Sequence, residues 1–237
     1  MNVCIYRLPA SRSVVHPRSM CTNCDTLIPW YDNIPILSYL LLMGLCRHCR
    51  IKFSLRYPIV ELLGGLFALG TYMKFGLGFE TLIYYLFITT LLVVTFIDID
   101  HRIIPDVISL PGIPIFFAAS FALPAITYKD ALLGILVGGG SLFLVAWLYS
   151  LLTKKEGMGG GDIKLLAMMG AIVGWQGVLF TIFVASLVGT LAGLAVMLKS
   201  RQGTKLAVPF GPFLSIGAIT YIFFGTRLIN WYLNVLG

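Results

Sequence analysis

The sequence predicts an all-α polytopic membrane protein, about seven transmembrane helices preceded by a small tetracysteine module, and three observations carry that prediction. Hydrophobic residues make up 58% of the 237 positions, charged residues only 11%, and the mean hydropathy is +0.92. Ordinary globular domains run at about 45–50% apolar and about 25% charged. From Pro58 to the C-terminus, apolar runs long enough to cross about 30 Å of hydrocarbon follow one another almost without a break. Residues 1–57 hold no such run; they carry four prolines and all five cysteines. This composition excludes an aqueous globular fold, a disordered chain and a secreted disulfide miniprotein. Backbone polar groups in lipid must be satisfied within their own segment, so the spans read as helices.

Taken in order, the chain divides into a polar module at 1–57 and a membrane domain at 58–237. Crossings are expected at 58–75, 80–98, 107–127, 131–152, 163–174, 176–198 and 208–230, the fifth close to the shortest length that spans a bilayer. Met1–Ala10 shows no apolar run of signal-peptide length. Gly138-Gly139-Gly140 and Gly189-x-x-x-Gly193 read as close helix contacts. No internal repeat is evident.

Charge fixes the expected orientation. Seven crossings place fourteen of the seventeen basic residues on the side of the module, leaving Lys74, Lys129 and Arg227 on the other. Merging 163–198 into one crossing weakens that bias to eleven against six. Seven is the better count, and the positive-inside rule then puts the module in the cytoplasm, with the C-terminus outside. The net charge of +7 is accounted for as an orientation signal and calls for no nucleic acid.

Within the module, Cys21-x-x-Cys24 and Cys46-x-x-Cys49 have the spacing of two zinc knuckles. Four thiolates suit a tetrahedral Zn²⁺, and a closed four-sulfur site has no open position, so the metal is expected to be structural. Two disulfides are the rival reading, disfavoured by a reducing cytoplasm. His16 and His48 are not needed as ligands, and Cys4 is expected to be a free thiol.

The ten carboxylates sort individually. Asp25 and Asp32 read as solvated, Glu80 and Asp130 as helix-start acids, and Glu156 as a loop residue beside Lys154 and Lys155. Glu61 reads as a first-turn acid of the first span, or as a functional acid entering the membrane. Asp98 continues the apolar run Leu91–Ile97; Asp100 lies about 200° round the helix from it. Asp106 follows Pro105 and is placed to cap the next helix. Asp162 follows Gly159-Gly160-Gly161, where glycine permits close backbone approach, and opens the run Ile163–Ile172. Its bland reading, taken alone, is a helix cap after a flexible loop. Asp98 and Asp162 are expected at one depth on one face, and two carboxylates around one water cannot both ionise cheaply. Sharing a proton is the basis of aspartic protease chemistry.

Met158-Gly159-Gly160-Gly161-Asp162 resembles the GxGD motif of intramembrane aspartic proteases, and Asp98 with Ile104-Pro105-Asp106 resembles the first catalytic segment of type IV prepilin peptidases. The start Asn2-Val3-x-Ile5-Tyr6-Arg7-Leu8-Pro9, the four cysteines, Arg56-Tyr57-Pro58-x-Val60-Glu61-Leu62 and Pro209-Phe210-Gly211-Pro212 are similar to the bacterial members as well. The resemblance implies a bifunctional enzyme of the bacterial cytoplasmic (inner) membrane. It would cleave the leader of type IV prepilins or type II secretion pseudopilins at the cytoplasmic face, then N-methylate the new N-terminal residue with S-adenosylmethionine. It implies that Asp98 and Asp162 are the catalytic pair, with Gly159, Gly161 and Pro105 as supporting motif residues. It also implies one more apolar helix ahead of the Met1-Asn2-Val3 segment than the seven counted here. No dinucleotide-type glycine fingerprint marks the methyl-donor site; Glu61 and the cysteine module are where the resemblance directs the search. Two other classes remain open from sequence: a proton- or cation-coupled transporter, disfavoured because the acids gather at one boundary, and a non-catalytic assembly protein using the zinc module.

Overall fold

The structure is a computed structural model that describes residues 1–154, 159–200 and 208–236, without the side chains of Lys199, Ser200, Tyr232, Leu233 and Leu236. Lys155, Glu156, Met158, Arg201 and Lys205, used above for charge, loop and motif readings, lie outside the described residues.

The described chain is helical and contains no β-strand beyond two isolated bridges. Helices α1 (Asn2–Arg7), α2 (Leu37–Leu41), α3 (Arg56–Phe75), α4 (Phe79–His101), α5 (Asp106–Ser120), α6 (Tyr128–Thr153), α7 (Gly160–Ser200) and α8 (Gly211–Leu236) follow in order, with a 3-10 turn at Trp30–Asn33. Two compact units divide the chain at Val93/Val94. Of the described helices, α4, α6, α7 and α8 are long and apolar enough to cross a membrane, and α5 is apolar but only 15 residues long. The protein is therefore a multi-pass membrane protein. Helix α3 has the length of the first expected span, but Glu61, Lys74 and three glycines dilute its apolar character, and it falls outside that set.

In the first unit Tyr84, Phe87, Ile88 and Leu91 of α4 and Val60 of α3 are buried. In the second, Leu165, Leu166, Met168, Met169 and Ile172 of α7 are fully buried, and α7 packs against α5, α6 and α8.

Helix α5 stops at Ser120, short of the expected 127. The amides of Phe121, Ala122 and Leu123 turn back to Ala118, Ala119 and Ser120, and Pro124 pushes its predecessor out of helical geometry. Helix α6 opens with a capping box between Thr127 and Asp130, as its acidic start suggests.

The 41 residues of α7 would make a rod of about 60 Å if straight. They do not. Gly174 has φ +67 and ψ 178, outside any helix. Ile104 packs on both Gly161, at the start of α7, and Gly211, at the start of α8. Phe213, two residues into α8, packs on Gly189. Gly161 and Gly189 thus share a neighbourhood, although a straight helix would part them by about 42 Å. The chain must reverse between them, at Gly174. Side-by-side contacts agree: Gly138 of α6 meets Leu166 and Gly134 meets Gly170 and Gly174, an antiparallel run, while Thr181 meets Gly217 and Gly177 meets Tyr221 in a second one. The expected break between 174 and 176 is where the structure places it.

Candidate active site and metal centre

Asp98 lies in the last turn of α4, three residues from its end, and is 5% exposed. Asp162 lies in the first turn of α7, its amide hydrogen-bonded to the Gly159 carbonyl at 3.2 Å. It is thus inside the helix start rather than capping it. The two residues, on separate helices, are drawn into one neighbourhood by Ile104, which packs on Gly161 beside Asp162 and on Gly211, whose amide reaches Asp98. Gly161 brings α7 against Ile104: a Cβ at residue 161 would stand 2.9 Å from the Ile104 Cβ. The glycine thus serves close approach, and Pro105 is the extended residue that ends the α4–α5 link and precedes α5. Gly159 lies beside the Asp162 carboxylate, its ideal Cβ position 3.9 Å from Oδ2.

Asp106 makes no capping bond to α5. Instead Lys164 Nζ donates to both of its oxygens at 2.8 Å, tying the start of α5 to the first turn of α7 two residues beyond Asp162. That bracket was not expected from sequence, because the partners are 58 residues apart. The Gly211 backbone N–H donates to Asp98 Oδ2 at 3.0 Å, a second link that sequence reasoning missed.

In the module, all four sulfurs of Cys21, Cys24, Cys46 and Cys49 lie within 4.8 Å of one another. Cys21 Sγ is 3.7 Å from Cys49 Sγ, and Cys24 Sγ is 4.0 Å from Cys46 Sγ. A tetrahedral ion with sulfur ligands at about 2.3 Å needs sulfur–sulfur edges of about 3.8 Å. The four cysteines are free thiols, and the cluster fits one metal ion. His16 and His48 are exposed and outside it.

The backbone around the cysteines repeats. A bridge Met20–Leu27, amide bonds Cys21→Thr26 and Asp25→Cys21, and a left-handed Asp25 (φ 50) recur 25 residues later as Leu45–Lys52, Cys46→Ile51, Arg50→Cys46 and Arg50 (φ 58). This knuckle duplication is an internal repeat of geometry that the sequence hides, since only the cysteines are shared. Backbone N–H groups of Cys49 and His48 hold the Cys46 thiol below its usual range, and that of Ile51 does so for Cys49. Burial instead pushes Cys21 up to about 11. Metal coordination deprotonates such thiols whatever their starting point.

Two carboxylates of this region are not as expected. Asp32 is not solvated: Arg47 donates to its two oxygens at 2.7 and 2.6 Å, and its side chain is 6% exposed. Glu61 is in the second turn of α3, not the first, because the helix begins at Arg56. Its Oε2 accepts from the Ile36 amide at 2.8 Å and its Oε1 from Asn2 Nδ2 at 3.3 Å. It lines a cavity of about 330 Å³ together with Asn2, Tyr6, Tyr39 and Tyr57.

Comparison with known proteins finds two family models. Residues 1–75 match the bacterial peptidase A24 N-terminal domain, and residues 85–194 match the type IV leader peptidase family. A protein of Aeromonas hydrophila named prepilin leader peptidase/N-methyltransferase is 38% identical over 92% of this chain and 75% of its own length. Proteins of the same name from Pseudomonas aeruginosa (38% identical, 96% of this chain, 79% of the relative) and Pseudomonas putida (36%, 93% and 77%) are similar to the same extent. No solved structure matches.

Proposed function

The chain belongs to the type IV leader peptidase family, and on that premise we propose which of its residues carry the family's two activities. It is a membrane-embedded peptidase that cleaves the leader of prepilins or related pseudopilins and N-methylates the new terminus. Cleavage is assigned to residues 58–237 and methyl-donor binding to residues 1–57 with the start of α3.

The observation that carries the peptidase reading is the packing of Ile104 on both Gly161, next to Asp162, and Gly211, whose amide holds Asp98, which brings two acids 64 residues apart in sequence into one neighbourhood. With one water between them, one carboxylate takes a proton as the water oxygen attacks the scissile carbonyl carbon. The other gives its proton to the carbonyl oxygen, and the C–N bond then breaks as a proton passes to the amine nitrogen. Burial of Asp98 and the close packing of Ile104 on two glycines keep bulk water from the pair. Both acids lie on the cytoplasmic side in the orientation set by the basic residues.

Zinc is the metal that four cysteine thiolates at these separations suit, and its role is to hold a module too small to make a core of its own. Metal analysis of reduced, folded protein is expected to find one zinc per chain; none would refute the assignment. S-adenosylmethionine, when bound, supplies an electrophilic methyl group. The cavity beside Glu61 offers aromatic faces and carboxylates, which suit a sulfonium cation.

Incubating the purified protein with a prepilin, with and without S-adenosylmethionine, and weighing the product tests both halves. Asp98→Asn and Asp162→Asn are each expected to abolish loss of the leader mass while the protein stays folded. Wild-type cleavage by either would remove the pair from the mechanism. Glu61→Ala is expected to leave cleavage intact and to reduce the added methyl mass.

A further inference from the structure

Asp98 is held by an element that begins 113 residues further along the chain. The Gly211 N–H donates to Asp98 Oδ2 in a buried hydrogen bond of 3.0 Å. Gly211 opens α8, so this amide is one of those that a helix leaves unpaired at its start, aimed at a carboxylate where the positive end of the helix favours negative charge. The first turn behind it is fixed: Phe213 and Leu214 donate to the Phe210 carbonyl, and Ser215 Oγ donates to the Gly211 carbonyl at 2.9 Å.

Only glycine fits there. A Cβ on residue 211 would stand 2.7 Å from Asp98 Oδ2 and 3.4 Å from Ile104 Cδ1. Asp98 cannot swing clear, because it is buried, and Ile104 cannot, because it is wedged between Gly161 and Gly211. Among the described residues the Asp162 side chain has no comparable donor, and the nearest cation on its helix, Lys164, is engaged by Asp106.

We propose that Gly211 is a positioning residue whose amide orients the Asp98 carboxylate and thereby divides the roles of the pair, Asp98 receiving the proton of water and Asp162 donating to the carbonyl oxygen. This rests on the reading of the two aspartates as the catalytic pair. A carboxylate with one oxygen occupied by an N–H donor is favoured in its charged form, and its other oxygen, Oδ1, remains for the water. In the first step the water oxygen bonds to the carbonyl carbon, one water proton moves to Asp98, and the Asp162 proton moves to the carbonyl oxygen. In the second, the C–N bond breaks, the Asp98 proton goes to nitrogen, and a hydroxyl proton of the tetrahedral intermediate returns to Asp162. Both groups end as they began.

The test is Gly211→Ala beside Asp98→Asn, assayed for prepilin cleavage across pH. A carboxylate displaced by about 1 Å is expected to lose on the order of 100-fold in kcat, with KM changed by no more than about twofold, because substrate binding is untouched. The acidic limb of the kcat profile is expected to move to higher pH, which a loss of folded protein alone would not cause. Wild-type kcat and an unmoved limb in Gly211→Ala, with Asp98→Asn inactive, overturn the role of Gly211 and leave the pair standing. Cleavage by Asp98→Asn overturns both. If Gly211→Ala does not fold, the ¹⁵N-glycine spectrum of the wild-type protein decides. The Gly211 amide is expected to titrate along the acidic limb and to stop doing so in Asp98→Asn; an amide indifferent to pH overturns the proposal.

Discussion

Asp32 and Arg47 face each other across the 3-10 turn and the second cysteine knuckle, and the guanidinium donates to both carboxylate oxygens. Hydrogen bonding by Arg47 holds the Asp32 carboxyl below its usual range. A depressed folded-state value stabilises the fold at pH values above the unfolded one, near 3.9, and the benefit disappears as pH falls through the folded one. Because half of the Arg47 side chain is exposed, solvent screening limits the effect to about 1 kcal/mol or less. Asp32→Asn is therefore expected to lower the thermal midpoint of the module slightly at pH 7 and by progressively less as pH falls below the unfolded value and through the folded one; a loss that does not shrink with falling pH would mean the pair contributes through shape alone. The sequence marks both residues as charged and polar but cannot pair them, since 15 residues and a knuckle lie between. It was more informative where chemistry left few options. Asp98 and Asp162 stand out because they abut apolar runs. Glu61 stood out for the same reason, but its partners Ile36 and Asn2 lie 25 and 59 residues upstream and cannot be paired with it from sequence. Backbone donors such as the Gly211 amide carry no side-chain signal at all.

At the scale of helices, glycine spacing announced close packing but not which glycine makes it. Gly134 and Gly170 meet face to face, each with the other's carbonyl where its own Cβ would go, and Gly138 stands against the Leu166 carbonyl. Gly140 and Gly193 have open space around them. Only the partner helix separates these cases, and it is not written in the sequence of α6. Gly134→Ala must push α6 off α7 and is expected to cost about 1–3 kcal/mol or more. Gly140→Ala adds a methyl group to open space and removes chain entropy from the unfolded state, so it is expected to gain up to about 1 kcal/mol. Thermal unfolding in detergent compares the two; equal effects would mean that the α6–α7 contact is not held at this spacing. Helix ends followed the same logic. The acidic start of α6 at Asp130 was readable from local residues, and the break near Gly174 from the distribution of basic residues along the chain. The early end of α5 was concealed, because Phe121, Ala122 and Leu123 look as apolar as the helix before them and only Pro124 marks the turn.

For the whole molecule the reversal at Gly174 decides how many times the chain crosses. Counted by length and apolarity, α7 is one span; traced through its neighbours, it runs out along α6 and back along α8. Charge agrees with the second description, because in the orientation expected from the sequence the return groups Lys199 with most of the basic residues. The conformation at Gly174 is one that residues with a Cβ avoid, so a turn there is built in rather than a bend of opportunity. A reporter phosphatase that needs disulfides is active only outside the reducing cytoplasm. Fused after Lys129, it is expected to be active. Fused after Lys154, it is expected to be inactive, and after Ser200 inactive again, because two crossings separate those points. Activity after Ser200 would mean that α7 crosses once, and with it the charge bias that set the cytoplasmic face of Asp98 and Asp162 would fall from fourteen basic residues against three to eleven against six.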